Sequence, residues 1–394
     1  MTTKEKITNK FKAMMLKRKN KSKEIDEPAM KLESNSHLKN GDVIISMKNI
    51  EVQFEVRKRF LTAIRNISLD IKKNEILAIV GESGSGKSVL TKCLIGMLDD
   101  NGHVSNGHIY YSGVDLTKYK ANEDWMNIRG KRIATIFQDP MTSLNPLRRI
   151  GSQITEVIRL HRGVDKETAR KEAILLLERV GISNAEQRFR DYPFQYSGGM
   201  RQRVVIAIAL ACRPDILICD EPTTALDVTI QAQILELIKS LKEEFGFTVI
   251  FITHDLGVVA EIADRVAVMY AGQIVELGTA EDIYYDPRHP YTWALLSSLP
   301  QLGAKDEDLF SIAGTPPSLY NKVVGDAFAP RSSTAMKIDF VKEAPTFKIS
   351  ETHYAKTWLL DPRAPKVARP KIIGEISQRV SDIYTEGAKK WVIF

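Results

Sequence analysis

Apolar and polar residues follow two patterns along this chain of 394 residues, and the two patterns predict different elements. Short apolar runs predict buried strands, whereas apolar residues three or four positions apart predict helices with one buried face. The runs recur through the middle of the sequence, at Glu75–Val80, Arg132–Phe137, Asp215–Asp220 and Thr248–Thr253. Helical spacing separates several of these runs. This alternation predicts an α/β domain with a largely parallel core sheet.

The regions on either side of this core carry other patterns. Before it, the segments Val43–Ile45, Ile50–Phe54 and Ile67–Ile71 predict strands, and alternation in the last two favours antiparallel pairing with one packed face. After it, Val266–Tyr270 and Gly272–Glu276 predict a hairpin. The spacing from about residue 145 to 213 is helical, which predicts a region of helices.

Residues 1–42 are polar and charged and show no strand pattern. Apolar residues at helical spacing among lysines (Ile7, Phe11, Met14, Met15) make residues 3–19 a candidate basic amphipathic helix. Such a helix would bind an anionic membrane surface. The alternative is a solvated tail, which the narrow apolar face favours.

The net charge of +7 is concentrated in this N-terminal extension. Residues 1–23 carry nine Lys and Arg against one acid, so the remaining 47 basic and 48 acidic residues nearly cancel. The folded body therefore gives no indication of nucleic-acid binding. The sequence contains no run of about 18 apolar residues, the length that a membrane-spanning helix requires, so none is predicted. The three cysteines, Cys93, Cys212 and Cys219, lie in apolar stretches, which predicts buried thiols and a cytoplasmic location.

The segment Gly81–Ser88 follows a predicted buried strand and precedes a helical pattern. Glycine, four residues and then Gly-Lys-Ser, between a strand and a helix, is the pattern of a loop whose N–H groups bind phosphate. A glycine-rich turn that matches by chance is the alternative. The loop and the residue after it provide the candidate nucleotide-binding residues Gly81, Ser83, Gly84, Ser85, Gly86, Lys87, Ser88 and Val89.

Further polar residues follow the other predicted core strands, where a ligand of a parallel sheet binds. Asp220 ends one strand and is a candidate Mg²⁺ ligand with Ser88, and Glu221 is the candidate general base. Gln138 follows another strand and can contact the metal or the attacking water. His254 follows a third and can bind the γ-phosphate, although a lone histidine at a strand end is more often structural.

A second glycine pair begins a predicted helix at Ser197, Gly198 and Gly199. One nucleotide does not require two such loops, so this pair predicts a head-to-tail dimer in which it closes the partner's site. Phe60, in the basic turn after Glu55, is the candidate aromatic residue for stacking on adenine. The alternative for Phe60 is a core residue at a strand end.

Taken in order, these motifs resemble the ATPase subunit of an ABC transporter over about residues 43–285. The resemblance includes Thr224–Asp227, which adds Asp227 to the nucleotide-site residues, and Ser197–Gly199 as the signature loop. Tyr196 and Met200 replace the leucine and glutamine usual in that signature. The resemblance implies an ABC-type nucleotide-binding domain, with a RecA-like core, an antiparallel β-subdomain and a helical subdomain, that binds ATP and Mg²⁺.

Longer motifs resemble the ATP-binding subunits of oligopeptide, dipeptide and nickel importers, notably Phe137–Pro146, His289–Leu296 and Gly314–Leu319. Asn106–Ile109 and Asn127–Lys131 resemble the D-type subunit. The resemblance implies a second related ATPase in a heterodimer, two permease subunits, an extracellular peptide-binding protein and a peripheral position on the cytoplasmic face of the membrane. A dipeptide, nickel or another small solute is the alternative substrate.

Two other classes fit less well. A soluble ABC ATPase of DNA repair or translation usually has two cassettes or a long coiled coil, and a GTPase would carry Asn-Lys-x-Asp after a strand.

The resemblance divides the chain into an extension, residues 1–42, an ATPase domain, residues 43–288 with its helices near 145–213, and a C-terminal extension, residues 289–394.

The C-terminal extension differs from the family at four positions. Relatives often carry cysteines there that resemble iron–sulfur ligands, whereas this chain has Asp326, Ser332, Asp339 and Thr357. Because such clusters require thiolates, we predict that no iron–sulfur cluster is present. Beyond Lys371, apolar residues at helical spacing predict a terminal helix: Ile373, Ile376, Val380 and Ile383.

Overall fold

The computed structural model describes residues 38–224, 226–299, 312–371 and 373–375. The candidate amphipathic segment 3–19 and most of the predicted terminal helix lie outside these ranges. The strands are β1 (Val43–Val56), β2 (Arg59–Lys72), β3 (Ile76–Val80), β4 (Gly102–Tyr111), β5 (Val114–Asp115), β6 (Ile133–Ile136), β7 (Ile216–Asp220), β8 (Thr248–Thr253), β9 (Arg265–Tyr270), β10 (Gln273–Thr279), β11 (Phe347–Lys348) and β12 (Tyr354–Ala355). The helices are α1 (Lys87–Leu94), α2 (Asn122–Met126), α3 (Pro140–Ser143), α4 (Ile150–Arg162), α5 (Lys166–Arg179), α6 (Ala185–Arg188), α7 (Gly198–Leu210), α8 (Val228–Phe245), α9 (Leu256–Ile262), α10 (Ala280–Tyr285) and α11 (Pro290–Ser297).

The core sheet has the strand order β11-β12-β10-β9-β3-β8-β7-β6. The strands from β9 to β6 are parallel, and the antiparallel strands β10, β12 and β11 extend the sheet at one side. Every residue of β3 and of β8 is buried, as expected for central strands that are covered on both faces. The carboxyl ends of β3, β8, β7 and β6 therefore meet at one edge, which confirms the α/β core that the sequence predicted.

The second sheet is antiparallel, in the order β2-β1-β4-β5. The sequence predicted separate strands at Val43–Ile45 and Ile50–Phe54, whereas the structure joins them in β1. In the pairing of β1 with both β2 and β4, the register shifts at Asn49, which has a positive φ of 51°, and this explains why the apolar pattern is interrupted there. Arg57 and Lys58 form the turn to β2, with φ of 49° and 64°.

Helices α4, α5 and α7 lie within the segment from 145 to 213 and pack through one apolar cluster with strands β6, β7 and β8. Apolar residues of the described C-terminal region pack against the core sheet. Tyr291 and Phe328 pack with Ala78 of β3 and Val268 of β9 in a second cluster. This packing brings the C-terminal region close to the carboxyl end of β3.

Among the described residues, no helix has both the length and the apolar composition that crossing a bilayer requires.

Candidate nucleotide-binding and hydrolysis site

The loop after β3 has a conformation that depends on its glycines. Gly81 has φ of 153°, and a Cβ atom there would lie 2.1 Å from the carbonyl oxygen of Met269 in β9. Gly86 has φ of 101°, and its Cβ would lie 2.9 Å from the carbonyl oxygen of Ala63 in β2. Side chains at these two positions would therefore clash with neighbouring backbone. The loop is packed closely against β9 and β2, and α1 starts directly after it, at Lys87.

Lys87 is the buried cation of the site. Its Nζ donates to the carbonyl oxygens of Gly81, at 2.7 Å, and of Glu82, at 3.0 Å. Burial lowers the pKa of Lys87, against the opposing effect of the carboxylates of Glu221, Asp220 and Glu82. A buried ammonium group beside an anion-binding loop provides charge that a triphosphate can neutralise.

Ser88 and Asp220 form the oxygen pair predicted to hold a metal. The Ser88 hydroxyl donates to Asp220 Oδ1 at 3.1 Å. Burial raises the pKa of Asp220, and the nearby Glu221 carboxylate raises it further, while the hydrogen bond from Ser88 opposes both. The described residues hold no group of three or more His, Cys, Asp or Glu able to bind a metal alone. One hydroxyl and one carboxylate fit Mg²⁺, which is usually bound by one or two protein ligands together with phosphate oxygens.

The Glu221 carboxylate contacts the other two predicted catalytic residues, Gln138 and His254. The Gln138 amide donates to its Oε2 at 3.1 Å, and His254 Nδ1 lies 3.3 Å from its Oε1. The structure thus brings together residues that follow three different strands, β6, β7 and β8. Gln138 contacts the predicted base here, whereas the sequence prediction also made it a metal ligand.

Two features of Glu221 were not expected from the sequence. Its φ is 48°, a left-handed backbone conformation that is uncommon outside glycine and asparagine. The hydroxyl of Thr224 also donates to Glu221 Oε2, at 3.1 Å. Thr224 was noted only as part of a motif, and its position three residues after Glu221 was the available signal for this contact. Backbone strain such as the positive φ of Glu221 is frequent at functional sites.

The signature loop, Ser197–Gly199, begins α7. Ser197 caps this helix by accepting a hydrogen bond from the N–H of Met200 at 3.3 Å. A Cβ on Gly199 would lie 2.7 Å from Cγ2 of Ile230, so this glycine permits close packing against α8. Asp227 caps α8 in turn, accepting from the N–H of Ile230 at 3.0 Å.

Tyr196, which departs from the signature of the family, is buried and its hydroxyl donates to the carbonyl oxygen of Arg188 at 2.9 Å. The substitution therefore fills the core and leaves its polar group satisfied.

Phe60 lies at the second position of β2. Its side chain is 54% exposed, and its ring makes an edge contact with His103, with ring centroids 6.4 Å apart. The alternative that Phe60 is a core residue is therefore wrong. An exposed ring beside the start of a strand is accessible to a planar ligand, and its role in adenine binding stays a prediction.

The four positions that differ from the cysteine-bearing relatives make local contacts. The N–H of Asp326 donates to the carbonyl oxygen of Asp339 at 2.7 Å, and Asp326 Oδ2 lies 3.8 Å from Nε2 of the buried His289. Ser332 contacts the Thr334 hydroxyl, and Thr357 accepts from the N–H of Leu359. Cys93 and Cys219 are buried as predicted, whereas Cys212 is only half-buried. Burial raises the pKa of Cys93 to about 12 and that of Cys212 to about 11.

Taken together, a phosphate loop, a hydroxyl–carboxylate pair and a hydrogen-bonded glutamate at one sheet edge define an α/β nucleoside-triphosphate hydrolase. Comparison with known proteins narrows this class. The ABC transporter family model matches residues 64–224, and the model of the C-terminal region of oligopeptide/dipeptide transporters matches residues 275–338.

Two curated relatives and one solved structure are similar over most of their own length. The oligopeptide transport ATP-binding protein AmiE of Streptococcus pneumoniae is 62% identical over 344 residues, which cover 87% of this chain and 97% of the relative. The oligopeptide transport ATP-binding protein OppD of Bacillus subtilis is 54% identical, covering 86% and 96%. A dimeric ATP-binding cassette in a post-hydrolysis state, bound to ADP and Pi, has a TM-score of 0.53 and 29% identity, covering 60% of this chain and 98% of that one.

The chain belongs to the ABC transporter ATPases, in the family of oligopeptide and dipeptide transport ATP-binding subunits.

Proposed function

We propose that this chain is the ATP-hydrolysing, D-type subunit of an importer of oligopeptides, and that the edge where β3, β6, β7 and β8 end is its catalytic site. The observation that carries the assignment of the site is the contact of Gln138, Thr224 and His254 with one carboxylate, Glu221. The Ser88–Asp220 pair and the buried Lys87 lie beside it. This arrangement provides the charge neutralisation and the base that phosphoryl transfer to water needs.

The residues divide the chemistry between them. The N–H groups of the phosphate loop and Lys87 bind the β- and γ-phosphates, with Ser83, Gly84, Ser85 and Val89 completing the loop. Ser88 and Asp220, with Gln138, would hold Mg²⁺, which when bound neutralises phosphate charge. Glu221 accepts a proton from the attacking water, and its three hydrogen-bond partners fix the orientation of its carboxylate.

Three further assignments belong to the same proposal. Phe60 stacks on the adenine ring, for which its exposure on β2 is the supporting observation. His254, through the ring nitrogen that does not face Glu221, binds the γ-phosphate. Ser197, Gly198, Gly199 and Asp227 act across a dimer interface, and the dimeric state of the structurally similar cassette supports this arrangement.

The transport role follows from the relatives named as oligopeptide transport ATP-binding proteins. ATP draws this chain and a second, related ATPase together, and hydrolysis releases them. That cycle changes the access of two permease subunits, to which an extracellular peptide-binding protein delivers peptides. The chain is accordingly peripheral, on the cytoplasmic face of the membrane. Dipeptides remain a second candidate substrate, because one relative that is 55% identical is named as a dipeptide transport ATP-binding protein.

The test is affinity purification of the tagged full chain from detergent-solubilised membranes, followed by mass spectrometry and by uptake of labelled peptides in a strain lacking the gene. We expect two permeases, a second ATPase and a peptide-binding protein, and loss of peptide uptake on deletion. Recovery with ribosomes or DNA-repair proteins would refute the transport role. Loss of nickel uptake with normal peptide uptake would refute the substrate class alone.

A further inference from the structure

The C-terminal region contacts the phosphate loop at Glu82, directly after Gly81. Arg331 Nη1 donates to Glu82 Oε2 at 2.8 Å, and the backbone N–H of Glu82 donates to the Tyr291 hydroxyl, also at 2.8 Å. The carbonyl oxygen of Glu82 accepts a hydrogen bond from Lys87 Nζ at 3.0 Å. Side chain, N–H and carbonyl of one loop residue are therefore all held, two of them by residues more than 200 positions away in the sequence.

Arg331 is itself fixed in place. It ends the 3₁₀ helix Ala329–Arg331, and its side chain is only 6% exposed. Its guanidinium also donates to the carbonyl oxygens of Ala313, at 2.8 Å, and Ile312, at 3.2 Å, and to the Tyr270 hydroxyl at 3.2 Å. All three guanidinium nitrogens are therefore occupied, which a lysine could not reproduce.

The aromatic rings of Tyr270, Tyr291 and Phe328 form a cluster that packs against Arg331. The Tyr270 and Tyr291 rings have centroids 4.5 Å apart, and Phe328 lies 5.3 Å from each of them. The guanidinium of Arg331 lies over Tyr270 and Phe328, with 5.8 and 5.9 Å to the ring centroids. Because Tyr270 ends β9, these ring contacts connect Arg331 and the C-terminal region to the core sheet.

This contact joins charges of low exposure. Glu82 is 24% exposed at its side chain, so the ion pair with Arg331 is largely shielded from water. Removing one partner of such a pair leaves the other charge poorly compensated and free to seek a new position. For Glu82, a new position means a change in the turn whose carbonyl oxygens bind Lys87.

We propose that Arg331 is a positioning residue for the phosphate loop: by holding Glu82, the C-terminal region keeps the loop and Lys87 in the conformation that binds MgATP. This inference rests on the proposed nucleotide site. It assigns the C-terminal region a role in ATP affinity, separate from the chemistry at Glu221. A loop that populates its binding conformation less often binds its ligand more weakly, in proportion to the lost population.

The test measures MgATP binding to the purified full chain by isothermal titration calorimetry. The variants are Arg331→Gln, Glu82→Gln and the double variant. Arg369→Gln is the matched control, since Arg369 pairs with Asp286 at 2.7 Å, in the same region but away from the loop.

We expect each single variant to bind MgATP about tenfold more weakly, and the double variant to be no weaker than the single variants. For Arg331→Gln, turnover of the assembled transporter at saturating MgATP should stay within about twofold of wild type, because the contacts of Glu221 are untouched. Arg369→Gln should bind as wild type does. A purely structural role would instead lower the melting temperature without this separation of affinity from turnover.

Several results would overturn the inference. Wild-type affinity in Arg331→Gln, or effects of the two substitutions that simply add, would show that Arg331 does not act through Glu82. If Arg331→Gln fails to fold, Glu82→Gln decides the question, since it leaves the other bonds of Arg331 in place. Failure of the wild-type chain to bind MgATP, or undiminished binding by Lys87→Ala, would refute the nucleotide site itself.

Discussion

Replacing Glu221 by glutamine should separate ATP binding from ATP hydrolysis. The substitution keeps the size of the side chain, but it removes the basic carboxylate. Its amide oxygen can still accept from Gln138 Nε2 and the Thr224 hydroxyl, which both donate to Glu221 Oε2 at 3.1 Å, while its amide nitrogen takes the place of Oε1 beside His254 Nδ1. Loss of a positioned general base costs about 10²–10⁴-fold in rate, which is the decrease in turnover that we expect.

Binding of MgATP should be unchanged or tighter in Glu221→Gln. The negative charge of Glu221 is close enough to Asp220 to raise the pKa of that carboxyl group, so it also repels an incoming triphosphate. Removing this charge lowers the repulsion, while the contacts of Lys87 with Gly81 and Glu82 remain.

The assay combines phosphate release in the assembled transporter with MgATP titration of the isolated chain. Glu243→Gln, at an exposed position of α8, is the control for the loss of one carboxylate and should behave as wild type. A Glu221→Gln variant that keeps more than about a tenth of the turnover would show that another group is the base. A variant that no longer binds MgATP would show that Glu221 holds the loop or the nucleotide.

Three further predictions test other parts of the site. Asp220→Asn should abolish turnover without lowering the melting temperature at pH 7. Burial raises the pKa of Asp220 in the folded state above the usual 3.8, so the ionised carboxylate lowers the stability of the wild type above that folded pKa. In thermal scans, the difference in melting temperature between variant and wild type should therefore shrink as the pH falls toward 3.8. Gly198→Ala should leave stability unchanged, because the nearest neighbour of its Cβ would be 3.9 Å away, and should reduce turnover of the assembled transporter. Gly199→Ala should lower the free energy of unfolding, measured in urea titrations, by about 1–3 kcal/mol, because its Cβ would lie 2.7 Å from Ile230. Anaerobically purified protein should contain no iron and show no iron–sulfur absorbance, and stoichiometric iron would contradict the prediction drawn from Asp326 and Thr357.

The site could be predicted from the sequence because its parts are local. The spacing of Gly81, Lys87 and Ser88 defines a loop within one strand–helix connection. Gln138, Asp220 and His254 each follow an apolar run, and the rule that parallel strands end at one edge then brings them together. The contacts of Gln138 and His254 with Glu221 confirm that these separate segments meet.

What the sequence did not reveal depends on long-range packing. The contact of Arg331 with Glu82 joins residues 249 positions apart, and no periodicity in one sequence indicates which arginine meets which glutamate. Strands β11 and β12 have two residues each, too few for an alternating pattern. The uninterrupted β1 was missed because the register shifts near Asn49 break its alternation. In each case the tertiary partner determines the local structure, and the partner is distant in sequence.

Several locally unfavourable features lie together at the carboxyl edge of the core sheet. Burial lowers the pKa of Lys87 and raises that of Asp220, so both groups are ionised there at a cost. Within the part of the chain that the structure describes, the buried hydroxyl of Ser85 has no hydrogen-bond partner, and Glu221 adopts a left-handed backbone conformation. A magnesium–triphosphate complex offers negative charge to Lys87, a cation to Asp220 and acceptor oxygens to Ser85. These features lower the stability of the fold at a place where one bound ligand would compensate most of them. That arrangement is expected of a binding site rather than of a structural core.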